Sequence, residues 1–510
     1  MKRMLKKGVA IAGAGLMLLG GLSACGSGNA NSTTAQKTLR IAWENTGSLD
    51  PVESISGADA PVQYTIYDAL FDYNPETLEP LPSLAEKWDL SDPSNLVITL
   101  RQGVKFQDGT DFNAEAVKFN IERGKKDGSS VAADLSRITS VEVIDDHKVA
   151  LHLDRPDSDV LATLAGKPGM MVSPAAAAAE GGLAKNPVGA GPFKFVSARN
   201  GVEIAVEKYN DYWNSGMERA DRIEFKLMAL GSAPVNALLT NQVDAVFKPA
   251  NQDVKTIKSA GQFDIVEPLT MQTDRIYINA KVAPFDDAKV RQALSAAVDR
   301  EALLKVIYGG SGEPTWSLFS SNHWAFDKSV VPNKPRDVEK AKKLLAEAGH
   351  AQGVTAKMIV RNDAVASRMA EILQSQVAEA GIKLELVPMD KSEATTRFLK
   401  DQQVPLNLSS ASGRVGAADT LDVYMGSTAY LNAGKYAIPG FDEAINAARA
   451  TTDRDQQKKF LSQAQQAASE AMIGIELVHP PYAVALRNTL TGYQPSLVTI
   501  PKFATIHFKK

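Results

Sequence analysis

The chain contains one cysteine among its 510 residues, Cys25. No intramolecular disulfide can therefore hold the fold together. Stability has to come from hydrophobic cores instead, and a chain of this length can bury apolar surface in more than one core. The length by itself predicts two to four domains.

The segment before Cys25 has the composition of an export signal. Four basic residues lie within positions 2–7, an apolar stretch follows at 8–21, and Leu-Ser-Ala occupies 22–24. This order is typical of a secretory signal peptide. The apolar stretch is too short to cross a bilayer, which takes about 20 residues in a helix.

The tetrapeptide Leu-Ser-Ala-Cys at 22–25 resembles the lipobox of bacterial lipoproteins. The resemblance implies a lipoprotein signal peptide at 1–24, cleavage before Cys25 and lipidation of its thiol. The alternative is a free thiol that happens to lie near a cleavage site. Residues 26–36 are small and polar, so we predict a flexible tether over 25–37.

The charge balance argues against nucleic acid as a partner. The 56 basic and 59 acidic residues give a net charge of −3, and the predicted leader would remove four of the basic residues. Nucleic-acid binding and polybasic membrane contact both require clustered positive charge. We therefore predict that only the lipid anchor contacts the cell membrane, on its extracytoplasmic face, in a periplasm or at a cell surface.

Short-range patterns predict several elements of secondary structure. Positions 96, 98 and 100 alternate with polar residues as in a strand, and Val141–Leu153 has the pattern of a β-hairpin. Asn113 is a good N-cap for a helix at 115–123, and 64–71 has a helical pattern. In the second half, segments of helix period and strand period alternate, which indicates α/β layers.

Motifs of catalysis and of metal binding are absent from the sequence. It contains no G-x-S-x-G elbow, no H-E-x-x-H motif and no P-loop. Among the six histidines, His147 and His152 are close together, but a step of five residues places them on opposite faces of a strand. We therefore predict a protein that is not an enzyme, with no bound metal and no cofactor.

Several segments resemble, in order, the conserved blocks of one family, the large solute-binding proteins of ABC importers known as family 5, the peptide/nickel group. Each block alone is weak, but their order over about 38–510 is specific. The matching segments are RQGVKFQDGT at 101–110, Ala114–Val117, NPVGAGPF at 186–193, Asp211-Tyr212-Trp213, Gln242–Ala245 and the run Asn279–Leu294.

The resemblance implies an α/β fold of the periplasmic-binding-protein type (type II, cluster C), in which two lobes joined by a hinge enclose the ligand. An extra subdomain enlarges the first lobe. On this sequence we expect the first lobe at 38–270, with the extra subdomain at about 74–189. The second lobe is expected at 271–483, and the chain returns to the first lobe at 484–510.

The resemblance also implies two ligand contacts of opposite charge. In dipeptide binders, the Asp of a W-x-G-x-x-x-D-P segment meets the ligand amine. The matching segment here is 413–420, which keeps the carboxylate as Asp419 and has Thr420 in place of proline. Arg361 matches the arginine that meets the ligand carboxylate. The alternatives are a loop cap for Asp419 and a solvent-exposed strand-end charge for Arg361.

Three further residues are candidates for the same site. Arg414 stands near the position of the family's missing aromatic residue and could meet an anionic group of the ligand. Trp43 and Trp316 are candidate walls of the cleft, with ordinary core or surface positions as the alternative.

These observations predict the extracytoplasmic substrate-binding lipoprotein of an ABC importer. It would act as a monomer, capture peptides or a similar small zwitterionic solute, and deliver the solute to a permease and ATPase. A nickel-chelate binder of the same family is the alternative. An exported hydrolase and a surface adhesin or receptor are the other classes, and the missing nucleophile motif argues against the hydrolase.

Overall fold

A computed structural model describes residues 37–331 and 334–510 of the protein. The predicted signal peptide, Cys25 and the predicted tether as far as residue 36 lie outside the described residues. Within the described ranges, no helix combines the length and the apolar character needed to cross a membrane.

The described strands fall mostly into two large sheets and one smaller sheet. Numbered along the chain, they are β1 (Thr38–Trp43), β2 (Phe71–Tyr73), β3 (Pro80–Pro82), β4 (Ala85–Asp89), β5 (Asn95–Leu100), β6 (Ile138–Asp145), β7 (Lys148–Leu153), β8 (Phe193–Arg199), β9 (Glu203–Lys208), β10 (Arg222–Leu227), β11 (Ala245–Phe247), β12 (Phe263–Val266), β13 (Gln272–Ile278), β14 (Glu313–Pro314), β15 (Val354–Arg361), β16 (Ile382–Met389), β17 (Leu406–Ser412), β18 (Gly474–His479), β19 (Val484–Arg487), β20 (Leu490–Thr491) and β21 (His507–Phe508).

The described helices cover the faces of these sheets. They are α1 (Asp59–Ile66), α2 (Ala114–Gly124), α3 (Val160–Leu164), α4 (Pro174–Ala178), α5 (Gly182–Lys185), α6 (Ser232–Leu239), α7 (Asn251–Ser259), α8 (Ala288–Ala296), α9 (Arg300–Tyr308), α10 (Val338–Glu347), α11 (Ala364–Ala378), α12 (Lys391–Thr396), α13 (Ala417–Met425), α14 (Phe441–Arg449) and α15 (Arg454–Ala471). A 3₁₀ turn at Lys167–Gly169 and a π-helical turn at Arg397–Asp401 complete the set.

The first large sheet has the strand order β12-β19-β11-β1-β10-β9-β8 in the described part of the chain. β1 lies parallel to both of its neighbours, β10 and β11. All of these strands except β19 come from residues 38–266, whereas β19 is inserted between β11 and β12 after the chain has built the second sheet.

The second large sheet has the order β14-β18-β13-β17-β15-β16 among the described strands. β15 is parallel to β16 and β17, and β13 is antiparallel to β17. The carboxyl ends of β15, β16 and β17 and the amino end of β13 therefore meet at one edge. The helices α8 to α11 cover this sheet with buried side chains such as Leu294 and Leu373.

A smaller sheet, β4-β5-β7-β6, packs against α2 inside the predicted extra subdomain. The buried cluster of this subdomain includes Leu161 and Leu164 of α3, and it continues into Leu421 and Met425 of α13. The subdomain and the part of the chain that holds the second large sheet therefore share one hydrophobic cluster. Burial of apolar surface favours this contact by about 25 cal/mol per Å².

Several predictions of local structure are confirmed. Asn113 caps α2, and its side chain accepts a hydrogen bond from the Ala116 N–H. The β6–β7 hairpin forms as predicted. The helix predicted at 64–71 is wrong at its C-terminal end, because α1 stops at Ile66 and β2 starts at Phe71 to pair with β3. The predicted domain boundaries stay a prediction.

Candidate ligand-binding site

Two of the predicted site residues lie just beyond one edge of the second large sheet. Arg361 is the last residue of β15, and Asp419 lies in the first turn of α13, which follows β17 after a short loop. Ligands of open α/β sheets bind outside the carboxyl ends of the strands. The sheet topology therefore brings both residues to the edge where a ligand is expected.

Arg361 is half-buried at this edge, with an acidic neighbour on the same loop. Its Nη2 atom lies 3.2 Å from Oδ2 of Asp363, and its buried Nε has no hydrogen-bond partner in the described ranges. Burial raises the pKa of the nearby Asp274 to about 6, although a hydrogen bond from Tyr308 (2.5 Å) and the charge of Arg361 act in the opposite direction. Arg361 thus keeps donor capacity for a further anion.

Asp419 forms an ion pair with a buried arginine from α14. Arg449, the last residue of α14, forms an ion pair with Asp419 and places Nη1 2.8 Å from Oδ2 of Asp422. Only 4 % of the Arg449 side chain is exposed. Charge-assisted bonds of this kind are strong when they are shielded from water.

The predicted extra subdomain adds two more carboxylates to the same place. The Asp419 N–H donates to Oδ2 of Asp159 at 3.0 Å, and Nε of Arg449 lies 3.7 Å from Oδ1 of Asp157. Thr163 donates to Oδ2 of Asp419 at 3.4 Å. We call Asp157, Asp159, Asp419, Asp422 and Arg449 the interlobe carboxylate cluster.

Hydrogen bonds of Arg414 and Thr420 hold the loop between β17 and α13, which directly precedes the turn with Asp419. Nη1 of Arg414 lies 2.8 Å from Oδ1 of Asp134, which belongs to the predicted extra subdomain. The Thr420 hydroxyl accepts a hydrogen bond from the Arg414 N–H and donates one to the Gly416 carbonyl, both at 2.9 Å. The threonine that replaces the family's proline therefore closes the loop by hydrogen bonding.

The two predicted tryptophans occupy different environments. Trp43, at the end of β1, is 5 % exposed, donates its indole N–H to the Ala58 carbonyl at 2.8 Å, and meets Phe247 and Phe503 edge to face. Trp316 packs against the Arg300 guanidinium, 4.7 Å from the ring centroid. It lines a cavity of about 550 Å³ whose walls come from 292–476 alone.

Two carboxyl groups of the interlobe carboxylate cluster, those of Asp157 and Asp159, have raised pKa values. Burial and the charge of Asp419 raise the pKa of Asp159 to about 7 and that of Asp157 to about 6. When the contact opens, water returns both carboxyl groups towards their ordinary value of about 3.9. Between pH 4 and pH 7 the closed contact therefore holds more protons than the open one.

This difference predicts that closure weakens as the pH rises. Protonation of Asp157 and Asp159 stabilises the closed contact fully below about pH 4, and this stabilisation is lost as the pH rises through their pKa values of about 6 and about 7. For each additional proton that the closed contact binds relative to the open one, the equilibrium constant for closing falls about tenfold when the pH rises by one unit. Small-angle scattering of the ligand-free protein should give a larger radius of gyration at pH 8 than at pH 5. Equal radii at both pH values in wild type would refute the prediction, and Asp159→Asn should reduce the difference.

Sequence reasoning missed Arg449, Asp157 and Asp159. Arg449 has the sequence signal of an ordinary basic residue at a helix C-terminus, where it complements the helix dipole. Asp157 and Asp159 precede a short helix, where acidic residues are common caps. No local pattern connects these residues with Asp419, which lies 260 positions from Asp159.

The chain forms two large sheets covered by helices. Charged residues at one edge of the second sheet contact the predicted extra subdomain. This arrangement is typical of two-lobed solute-binding proteins. A profile of "Bacterial extracellular solute-binding proteins, family 5 Middle" matches residues 79–431. The chain belongs to this family of bacterial extracellular solute-binding proteins, family 5.

Individual relatives agree with this assignment. The chain is 29 % identical to Di/tripeptide-binding protein 2 of Pseudomonas aeruginosa over 92 % of its own length and 94 % of the relative's. The fold is similar to that of the periplasmic binding protein DppA from Helicobacter pylori in complex with the peptide STSA (TM-score 0.81, 22 % identity, 93 % and 99 % of the two chains). It is also similar to NikZ from Campylobacter jejuni in complex with Ni(L-His) (TM-score 0.76, 25 % identity, 89 % and 95 %).

The predicted family and the predicted two-lobed α/β fold are therefore confirmed, as is the general function of solute binding. We call the part that holds the first large sheet the first lobe and the part that holds the second large sheet the second lobe. The family and its relatives are substrate-binding proteins of transport.

Proposed function

We propose that this protein captures peptides or a similar small zwitterionic solute between its lobes and delivers it to the permease and ATPase of an ABC importer. One observation carries the proposal: the edge of the second-lobe sheet presents the Arg361 guanidinium and, beyond the next strand, the Asp419 carboxylate. A zwitterion carries an anionic group that matches the Arg361 guanidinium and a cationic group that matches the Asp419 carboxylate. The likeness to a di/tripeptide-binding relative supports the same ligand class.

The physical mechanism follows from the position of these residues. In this structure Asp419 contacts Asp159 and Thr163 of the predicted extra subdomain. A ligand that touches both lobes binds the closed state more tightly and so shifts the hinge equilibrium towards it. Arg414 stays a proposed contact for an anionic group of the ligand, and Trp43 and Trp316 stay proposed walls of the cleft.

Calorimetry with Ala-Ala, tri-alanine and free alanine tests this function. We expect micromolar or tighter binding of at least one peptide and none of the free amino acid. Mass spectrometry of small molecules that co-purify with the folded protein should recover peptides. Failure of every peptide to bind, together with recovery of another solute class, would overturn the proposal.

A nickel chelate is the second candidate, because the fold matches NikZ bound to Ni(L-His). Within 37–331 and 334–510, no three or more His, Cys, Asp or Glu side chains are arranged so that they could hold a metal ion. The metal would therefore have to arrive already chelated. Titration with Ni(L-His)₂ and with histidine alone distinguishes this candidate, since only the chelate should release heat.

We further propose that Cys25 carries the lipid that holds the protein at the outer face of the membrane. Replacing Cys25 by serine removes the thiol that would be lipidated, so the variant should leave the membrane fraction. Fractionation of cells followed by immunoblotting measures this, with a Ser23→Ala variant as a control that retains the thiol. A Cys25→Ser protein that still sediments with membranes would exclude the lipid anchor.

A further inference from the structure

The second lobe contains a cavity of its own, apart from the edge where the zwitterion is proposed to bind. The cavity has a volume of about 550 Å³. Folded interiors contain few voids larger than a water molecule, whereas sites for small ligands usually measure about 300–1,000 Å³. Its lining residues include members of α8, α13, α15, β18 and the loop at 316–318. The cavity therefore has the size of a ligand site.

This cavity lies at the sheet edge opposite the proposed cleft. Gly474, one of its lining residues, begins β18 and pairs with Tyr277, next to the last residue of β13. Arg361 and Asp419 lie beyond the other edge, where β13 begins and β15 and β17 end. From Gly474, β18 runs five residues towards that edge and ends at His479, a distance of about 16 Å at about 3.3 Å per residue. The cavity is therefore separate from the edge that Arg361 and Asp419 share.

Apolar side chains form much of the cavity wall. Leu421 and Met425 lie one turn apart on α13, and both are buried. Leu318 and Trp316 line the cavity from a loop. The Trp316 ring also packs against the Arg300 guanidinium, whose Cζ lies 4.7 Å from the ring centroid. Such a wall favours a ligand with an aromatic or aliphatic body.

The wall also contains a buried carboxylate that lacks hydrogen bonds. Glu476 lines the cavity, and only 9 % of its side chain is exposed. Nη2 of Arg275 lies 3.4 Å from Oε1 in an ion pair, but neither carboxylate oxygen accepts a hydrogen bond within 37–331 and 334–510. Buried polar side-chain atoms nearly always have a hydrogen-bond partner. An N–H group of a ligand would supply the donor that Glu476 lacks.

Arg300 offers hydrogen-bond donors beside this carboxylate. Its Nε donates to the Glu476 carbonyl at 2.7 Å and to the Thr315 carbonyl at 3.0 Å, which fixes the buried guanidinium. Nη1 and Nη2 donate to Ser295, to its carbonyl at 3.4 Å and to its hydroxyl at 3.1 Å. A guanidinium has five N–H groups. One N–H on each Nη atom therefore has no acceptor among the described residues, and the carbonyl of a ligand would accept from one of them.

The charges of these groups favour an uncharged ligand. Arg275 and Arg300 are cations, and Glu476 is an anion next to both. A ligand carboxylate would meet Glu476 and a ligand ammonium would meet two arginines, so either one would face a like charge in a site shielded from water. A carboxamide presents both a carbonyl and an N–H without a net charge.

We propose that this cavity is a second ligand site, which binds an uncharged carboxamide with an aromatic or aliphatic body. The carbonyl accepts from Arg300, an N–H donates to Glu476, and the body packs against Trp316, Leu421 and Met425. This site goes beyond the capture of a zwitterion between the lobes and does not depend on it. It gives Trp316 a ligand contact other than its proposed place in the wall of the cleft.

Calorimetry with three probes of the same shape tests the site. Phenylacetamide, phenylacetate and 2-phenylethylamine carry an amide, an anion and a cation on the same ring and linker. We expect wild type to bind phenylacetamide at least tenfold more tightly than the other two. Ala468→Leu should lose at least tenfold in affinity, because Ala468 lines the cavity and the larger side chain fills it. Ala346→Leu, at an exposed position of α10, is the matched control and should bind as wild type does.

Two further variants test the contacts without filling the cavity. Glu476→Gln removes the negative charge but keeps the shape, so the preference for phenylacetamide over phenylacetate should fall at least tenfold. Trp316→Leu should weaken phenylacetamide several-fold and leave the affinity for a peptide unchanged. No heat with phenylacetamide at millimolar concentration, equal affinities of wild type and Ala468→Leu, or competition with a bound peptide would overturn the second site. Failure of every peptide to bind would overturn the proposed function alone.

Discussion

Replacing Arg449 by leucine is expected to destabilise the closed contact between the extra subdomain and the second lobe by about 3–5 kcal/mol above pH 7. Arg449 is buried and bonds to Asp419 and Asp422, with Asp157 close by. Without its guanidinium the interlobe carboxylate cluster would hold four acidic groups, of which Asp157 would keep Arg137 as a partner, 3.3 Å from its Oδ2. The remaining carboxylates would lose their arginine neighbour and would repel one another.

Urea denaturation and small-angle scattering at pH 5 and pH 8 measure this effect. At pH 8 we expect an earlier unfolding transition and a larger radius of gyration than in wild type. At pH 5 part of the loss should be recovered, because protonated carboxyl groups no longer repel one another. Arg155→Leu is the control, since Arg155 lies near the cluster in sequence but is exposed. An Arg449→Leu protein with wild-type stability at pH 8 would contradict the role given to the cluster.

Replacing Asp419 by alanine is expected to weaken the binding of a zwitterionic ligand by about 3–5 kcal/mol, which corresponds to two to three orders of magnitude in affinity or more. The ligand ammonium would lose its carboxylate inside a closed cleft, where an unpaired charge is costly. Arg449 would keep Asp422 and Asp157 as neighbours, so the fold should survive the substitution.

Isothermal calorimetry with the tightest-binding peptide measures the loss. Asp422→Ala is a close control, because Asp422 lies on the same helix and bonds to the same arginine, yet it is one turn further from the loop after β17. We expect that variant to stay within about tenfold of wild type. Unchanged affinity in Asp419→Ala would remove Asp419 from the ligand site.

Local structure was predictable where neighbouring residues alone decide it. Asn113 caps its helix because its side chain reaches an N–H three residues ahead, and the β6–β7 hairpin follows from alternation around a turn. The predicted helix at 64–71 is wrong at its end, because Phe71 pairs with Pro82 in the β2–β3 ladder instead of continuing the helix.

The candidate site was predictable only in part. Similarity to a family indicated Asp419 and Arg361, and the structure puts both beyond the same sheet edge. The family similarity did not indicate that Arg449 forms an ion pair with Asp419. It also did not indicate that the Thr420 hydroxyl, at the position of the family's proline, donates a hydrogen bond to the Gly416 carbonyl.

The sequence by itself determined short-range features of this protein: the β6–β7 hairpin, the Asn113 cap and the reliance on hydrophobic cores in a chain with one cysteine. The export segment before Cys25 is also a prediction from the sequence alone. Only the tertiary structure decided which charges meet. Asp159, Asp419 and Arg449 are far apart in the chain, and the raised pKa of Asp159 depends on its burial between two parts of the fold. Desolvation and charge pairing act through space, so no window of neighbouring residues contains the information.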